Sequence, residues 1–517
     1  MGKTLPQSSF PFCSGSNLGY YPVLDAQRSI NLFFEPNLPG SKSGYGLIGT
    51  PGSVAVLNLP KAPVRGLFGG NNTLYAVSGS HVYQIDPNAL AVHIDFGAIP
   101  GSGGVDPYGQ YKICKFRGNG TQLLMFDPSV SQIFQLDPLA PAINAEFNAM
   151  AMEYLDGFFV ALATGASLAT ANPNQISTSA FGNGTSWPAL AFTTNLGSAD
   201  QVNQLAVVNE LLWVFGTQNT SIWYNAGTAP FPFAKVVSGG TLNVGCMAPL
   251  SVANIANSVM WLGSSDRGWG RVYLAEGLQP IPVSTPAIEQ ILNAGITANP
   301  SMTTTISAFS YEEGGHSFYV LNLPSINYSP AGIANGWTIA YDISTKLWHE
   351  RAFWNGSALS MAYPICFGSV QWAPTGWGTN NFAGSFGTGD VMTFSQLNTK
   401  DTVGGVTFPI RRIRTAPHVS DGNRWIKYPF FELDANIGSA TPFIDYSNDG
   451  GRSFPLPTGG ARTLLNGGTD QGGAFVRYKG WQFGRSRDRV FRVTITDQTN
   501  QIALVNAYCG AGAGTEE

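Results

Sequence analysis

The chain has 517 residues and a mass of 55.0 kDa, with 27 basic and 31 acidic side chains, a net charge of −4 and only 11% charged residues, less than half the usual share of about 25%. With 44% hydrophobic and 12% aromatic residues it is neither an intrinsically disordered chain, which needs low hydrophobicity and high net charge, nor a polybasic nucleic-acid binder. Its 62 glycines and 33 prolines complete the balance of a turn-rich, aromatic-cored β protein.

Met1 to Gly15 carry one basic residue, then Pro, Ser and Phe without an apolar h-region, and do not read as a signal peptide. The most apolar stretch, Phe158 to Ala171, falls short of the ~20 residues a bilayer requires, so no membrane span is expected. Further along, β-branched and aromatic runs bounded by Gly, Asn, Asp and Pro come in pairs. These are Thr73–Ser78 with His81–Asp86, Leu123–Phe126 with Ile133–Asp137, and a weaker Phe158–Ala163 with Ile176–Phe181. Leu211–Phe215 with Ser221–Tyr224 and Val259–Leu262 with Arg271–Ala275 follow. Ser317–Leu321 with Trp337–Asp342 and Phe382–Ser385 with Val391–Phe394 complete the series.

Intervals of roughly 45–65 residues between units suit four-stranded propeller blades, which must stack around an axis because one blade cannot cover both of its faces. The expected fold is all-β: a β-propeller of six or seven blades followed by a C-terminal β-sandwich, with stacked sandwiches as the competing arrangement. The expected divisions are an N-terminal arm with first strands over 1–64, the propeller over 65–398 and the sandwich over 399–517. From Asp401 onward the balance turns basic, with 13 bases and 11 acids against 14 and 20 in residues 1–400. Strands are predicted there at Pro429–Leu433, Pro442–Tyr446, Phe475–Tyr478, Val490–Ile495 and Ile502–Ala507.

No H-E-x-x-H, Walker loop or G-x-S-x-G occurs, the five histidines are scattered, and Ser385–Asp390 reads as a hairpin turn. The five cysteines, Cys13, Cys114, Cys246, Cys366 and Cys509, have no metal or redox spacing and read as buried thiols. No catalytic residue, metal or cofactor is expected. Ser447-Asn448-Asp449-Gly450-Gly451-Arg452-Ser453-Phe454 resembles the Asp-box hairpin of sialidases and other propellers, with Ser447, Asp449, Gly451 and Phe454 in its structural roles. A glycan-active propeller, hydrolase or lectin, is therefore the alternative reading, although base-poor residues 1–400 make an arginine cluster hard to assemble.

From Gly118 through Ala234 there is no Lys or Arg but seven acids, Asp127, Asp137, Glu146, Glu153, Asp156, Asp200 and Glu210. A wall of such acids would repel a phosphate backbone and let DNA slide, which makes them candidate channel-lining residues; an ordinary acidic surface explains them equally well. Arg411-Arg412-Ile413-Arg414 and Arg485-Ser486-Arg487-Asp488-Arg489 alternate as strand neighbours do. Arg485, Arg487 and Arg489 are candidate intersubunit residues, with cross-strand pairing inside the sandwich as the alternative.

Ser29-Ile30-Asn31-Leu32, Gly49-Thr50-Pro51-Gly52, the Ser447–Phe454 hairpin, and Gly484 to Arg492 followed by Thr494-Ile495-Thr496-Asp497 resemble the packaged-DNA stabilisation proteins of short-tailed phages, also called tail accessory factors, tail hubs or nozzles. The likeness follows the order of motifs from end to end, departing at Phe454, where Trp is expected. It implies a virion tail protein made in the host cytoplasm, a homohexameric ring below the portal adaptor that closes the DNA exit and later serves as the ejection conduit. Implied partners are the adaptor ring, tailspikes or fibres, a needle or plug at the tip, and genomic double-stranded DNA passing without sequence-specific contact.

Overall fold

Successive side chains of a strand point to opposite faces, and in the middle strands of this chain both faces are apolar. In Leu211–Gly216, Leu212 and Val214 enter a buried layer with Leu162 and Val202, while Trp213 and Phe215 enter another with Trp261 and Tyr273. A sheet apolar on both faces must be covered twice, and seven four-stranded sheets do this for one another in a ring. The computed structural model describes residues 7–9, 11–16, 21–41, 43–70, 73–86, 89–102, 113–163, 174–194, 200–264, 270–372, 380–385, 387–454, 462–469, 476–510 and 512–513.

Blade 1 is Val64–Gly70, Thr73–Ser78, His81–Asp86 and Ala91–Ala98. Blade 2 is Lys115–Gly118, Leu123–Asp127, Gln132–Asp137 and the first half of Ala142–Leu155, whose second half opens blade 3 ahead of Phe158–Ala163, Gln175–Thr178 and Phe192–Thr194. Blade 4 is Val202–Val208, Leu211–Gly216, Thr220–Asn225 and Phe233–Lys235; blade 5 is Ala253–Ile255, Ser258–Ser264, Arg271–Glu276 and Gln279–Pro282. Blade 6 is Ser307–Glu313, His316–Leu323, Trp337–Asp342 and Leu347–Arg351. Blade 7 takes Ile365–Trp372, Asn380–Ser385 and Asp390–Ser395 from late in the chain and its outermost strand, Gly52–Asn58, from before blade 1.

The first strands of successive blades pack side by side, and that of blade 7 meets that of blade 1, closing the ring. Seven apolar layers fill the spaces between neighbouring blades. Trp213 and Trp261, 1% and 0% exposed, fill one of them, and truncating either to Ala would cost about 3–5 kcal/mol. The seven strand pairs expected from sequence are the second and third strands of blades 1 to 7. Helix Pro286–Ala298, capped by Thr285 and begun by Pro286, lays Ile288, Ile291 and Leu292 into the layer between blades 5 and 6.

The sandwich has one sheet of Leu32–Pro36, Tyr45–Gly49, Ala503–Gly510, Phe430–Asn436, Val476–Trp481 and Leu465–Thr469, with Gln7–Ser9 added beside Ala503–Gly510. The other runs Arg28–Ile30, Val406–Ser420, Asp488–Asp497, Pro442–Ser447 and Arg462–Thr463, and it continues into blade 6 through the parallel pair Ile30 and Glu350. At Asn31 the chain leaves one sheet for the other. Its φ of 55° is a value Asn tolerates, and its buried amide donates to the carbonyls of Ala352 (2.8 Å) and Arg411 (2.9 Å) and accepts from Ala352 N (3.0 Å). One side chain thus ties the sandwich to the propeller.

The expected division at residue 64 is redrawn by these pairings. Residues 28–49 supply three sandwich strands and Gly52–Asn58 seals blade 7, so the propeller is inserted between two parts of the sandwich. The crossing at Gly49-Thr50-Pro51-Gly52 is tight: a Cβ on Gly49 would lie 2.6 Å from Arg412 Nε, and one on Gly52 2.4 Å from the Lys400 carbonyl.

Candidate functional site

A cleft of about 470 Å³ lies between blade 6 and the sandwich, with Ile30, Leu359, Met361 and Ile413 among its apolar lining and Arg28, Arg452 and Arg492 among its charged lining. Arg28 grips the buried carboxylate of Glu350 through Nε–Oε2 (2.5 Å) and Nη2–Oε1 (2.9 Å) and also donates to the Ala331 carbonyl (3.0 Å). Arg492 grips Asp445 through Nε–Oδ1 (2.9 Å) and a second, shorter contact, with its guanidinium 4.1 Å from the Phe454 ring centre. Bidentate pairs of this kind fix both partners.

The Asp-box-like hairpin forms part of the cleft wall. Asp449 Oδ1 accepts the backbone N–H groups of Arg452 (3.1 Å) and Ser453 (3.0 Å) and also bonds Ser447 Oγ, which itself accepts from Gly451 N (2.9 Å). These hydrogen bonds outweigh the small burial and hold the Asp449 carboxyl down at about 2. The ring of Phe454 is covered by the Arg492 guanidinium. Two of the three arginines are therefore locked onto carboxylates at a seam between units rather than gathered around the propeller axis.

The seven acids separate by burial. Asp127 is fully buried, paired with Arg65 Nη2 at 2.9 Å between blades 2 and 1, and bonded by Ser129 N (2.8 Å). Burial raises its pKa, but Arg65 and Ser129 lower it further, leaving the carboxyl below its ordinary value. Glu153 is buried and holds Arg117 Nε at 2.5 Å and Lys115 Nζ at 3.8 Å. Asp200 is buried and accepts from the backbone N–H of Thr217 (2.9 Å), Gln218 (2.8 Å) and Asn219 (2.7 Å). The channel-lining expectation is corrected for these three: each is spent inside the protomer on an ion pair or a turn.

Asp137 accepts from Leu139 N (2.9 Å), and exposed Asp156 accepts from Asn225 Nδ2 (3.1 Å). Glu146 is half-buried, which pushes its carboxyl up, and Glu210 is exposed in a turn at φ 62°. Lys115 and Arg117, the partners of Glu153, lie just outside the base-free stretch and were a signal missed, whereas Arg65, the partner of Asp127, lies far upstream of it.

The arginine strand also differs from expectation. Pairing is interrupted between Arg485–Ser486 and Asp488–Asp497, so the three arginines do not share a face. Arg489 is 1% exposed and donates to Asn448 Oδ1 (2.9 Å) and the Phe483 carbonyl (2.5 Å) between the rings of Tyr428 and Tyr446, which removes it as an intersubunit residue. Arg485 and Arg487 are exposed and sit 4.9 and 5.1 Å from the half-buried Trp425 ring. Of the other basic run, Arg412 and Arg414 are buried and Arg411 stacks on Trp354 at 3.2 Å.

Along the propeller axis a cavity of about 330 Å³ is lined by Leu67, Lys115, Arg117, Glu153, Asn254 and Ser310 among others. It is far too small for duplex DNA, whose major groove alone is about 12 Å wide. Cys13, Cys114, Cys246 and Cys509 are buried free thiols, and burial pushes Cys13 and Cys246 up to about 12; the side chain of Cys366 lies outside the described residues. Among the described residues no three His, Cys, Asp or Glu side chains gather as a metal site.

The family model described as Bacteriophage P22 Gp10, beta-propeller, matches residues 9–347, from the first sandwich strands to the start of the last strand of blade 6. The chain belongs to the phage P22 Gp10 family. Gp10-family proteins are phage structural β-propellers, and this chain is one of them, with seven blades and the virion as its setting. A comparison with curated proteins gave no match. Among solved structures, the N-terminal domain of Nup159 is similar at 12% identity over 72% of this chain and 99% of that one, with a TM-score of 0.38. A streptogramin B lyase is similar at 5% identity over 67% and 97% (TM-score 0.39), and the Pan2 WD40 domain of Neurospora crassa at 8% over 67% and 94% (0.38). Likenesses this remote lend nothing to function. No helix among the described residues is long and apolar enough to cross a membrane.

Proposed function

We propose that this Gp10-family chain is a tail hub, or nozzle, subunit: six copies form a ring beneath the portal adaptor that retains packaged DNA and later serves as the conduit for ejection. The observation that carries the reading is the family match over residues 9–347. The dimensions of the protomer add a constraint. Because the axial cavity of the propeller is closed to duplex DNA, the conduit is the space enclosed between subunits, and its walls are outer surfaces of the protomer.

Adaptor ring, spikes or fibres, and tip plug would dock on other faces of the same ring. Particles lacking the protein are expected to fill their heads and then lose DNA, measured as nuclease-sensitive genome; full heads that stay stable without it would overturn the proposal.

For the ring contact, Arg485 and Arg487 remain in place beside Trp425, and exposed acids such as Asp156 and Glu210 offer opposite charge on blades 3 and 4. A head-to-tail contact of this sort closes rings. Replacing both arginines by Ala is expected to change monomer stability by less than about 0.5 kcal/mol while reducing ring incorporation, read by native mass spectrometry and thermal unfolding. Loss of stability equal to the loss of assembly would assign the pair to the fold of the monomer instead.

A further inference from the structure

The crossing loop Gly49-Thr50-Pro51-Gly52 is bordered by hydrogen-bond donors that no acceptor among the described residues satisfies. From the last strand of blade 6, Arg351 donates Nη2 to the Pro51 carbonyl (2.8 Å), with its guanidinium 4.3 Å from the Tyr363 ring centre and 5.2 Å from that of Phe394. Its Nε and Nη1 are buried and unpartnered. From the sandwich, Arg412 lies against the same loop, so close to Gly49 that a Cβ there would meet its Nε, and its Nε and Nη1 are likewise buried without a partner. The hydroxyl of Thr50, within the loop, is a third such group. Both arginines are 2% exposed and Thr50 is 1% exposed.

The acids nearby do not meet these donors. The buried carboxylate nearby is Asp401, whose Oδ1 already accepts from Ser53 N (3.0 Å), Ser53 Oγ (3.0 Å) and Tyr363 OH (2.6 Å). His349 adds no charge, because burial and Arg351 hold its imidazolium pKa down at about 3. Two buried guanidiniums therefore face one fully buried carboxylate, with the half-buried Asp497 as a second acid near Arg412. An uncompensated buried cation is strongly disfavoured, and Arg offers five donors and no acceptor. A water molecule would accept two of these N–H groups but bring two O–H donors of its own. An anion accepts from every side and brings no donor of its own.

We propose that a small monovalent anion of the halide class binds between Arg351, Arg412 and the Thr50 hydroxyl, and that it pins the crossing loop where the sandwich meets the propeller. Bound there, it holds together three segments distant in sequence, and the folded chain gains stability by mass action with the free ion. The proposal is independent of the tail-hub reading.

Crystals of the full chain grown in bromide and measured at the bromine absorption edge are expected to show an anomalous peak within hydrogen-bond reach of Arg351 Nη1 and Arg412 Nε. A featureless anomalous map there, with an ordered water in the density, would overturn the proposal. In solution, exchanging chloride for gluconate at constant ionic strength is expected to lower the unfolding midpoint by on the order of 2 °C. Arg412→Met should abolish that difference, whereas an unchanged salt response in a folded Arg412→Met protein would count against the site. Should that variant fail to fold, the diffraction result on the unmodified chain decides.

Discussion

The layer between blades 1 and 2 and the sandwich core bury arginine in different ways. In the propeller, Arg65 is balanced by a carboxylate, Asp127, with both side chains 0% exposed. In the sandwich, Arg489 and Arg414 are fully buried without a paired acid: carbonyls and side-chain oxygens take their N–H groups and aromatic rings cover their faces. The reason lies in the packing units. The layer between blades 1 and 2 joins two thin sheets whose middle strands are apolar on both faces, and the buried charge there has a compact partner across the gap. The sandwich core, with Tyr428, Tyr446, Phe483 and Phe491, is wide and aromatic enough to box a guanidinium.

This contrast can be broken experimentally. Arg65→Met strands a buried carboxylate and is expected to cost about 3–5 kcal/mol in denaturant unfolding, with Asp127→Leu added in the same chain restoring most of it. Arg489→Met strands no charge and should cost about 1–2 kcal/mol. Equal losses at the two positions would erase the distinction.

The smallest effect is expected at the junction. His316 Nδ1 meets Asp342 at 2.8 Å in blade 6 and its Nε2 meets Glu35 at 2.7 Å on a sandwich strand, while Phe33, Phe318 and neutral His349 surround it. The hydrogen bond to Asp342 leads in raising the imidazolium above its ordinary 6.5, against the effect of burial. A raised folded-state pKa gives stability that is complete below pH 6.5 and lost as pH climbs through the raised value. Between about pH 6 and about pH 9 the unfolding midpoint should therefore fall more steeply than in His316→Gln, a difference of about 1 kcal/mol or less. Parallel curves would show that the histidine is neutral in the fold.

Sequence revealed the second and third strands of every blade because burial on both faces leaves a continuous apolar run, as in Leu211–Gly216 or Val259 to Leu262. The first strands were illegible: Lys115–Gly118 and Ala253–Ile255 border an axial cavity of mixed polar and apolar lining and are themselves short and mixed. Outer strands such as Ala91–Ala98 are largely exposed and carry no pattern. The N-terminal segment was misjudged because its partners lie hundreds of residues away, and a strand's sheet cannot be read from its own residues. The same nonlocality misled the acids. The charge count saw Asp127 without a neighbouring base, yet its partner Arg65 lies 62 residues earlier. Asp449 was legible because all its partners fall within four residues.

The insertion of the propeller into the sandwich also sets an order of events during synthesis. Leu32, Phe34 and Leu47 emerge from the ribosome early, but the sheets that cover them are completed by strands 406–420 and 503–510. Gly52–Asn58 must likewise wait for Asp390–Ser395. At about 5–20 residues per second this delay is roughly 20–70 s, during which an apolar segment of some thirty residues is uncovered. A nascent chain of this shape needs either a chaperone or a swift collapse of blades 1 to 6 to shelter it. Once finished, the ring holds Gly52–Asn58 and Asp390–Ser395 in one clasp, and neither strand can be released without the other.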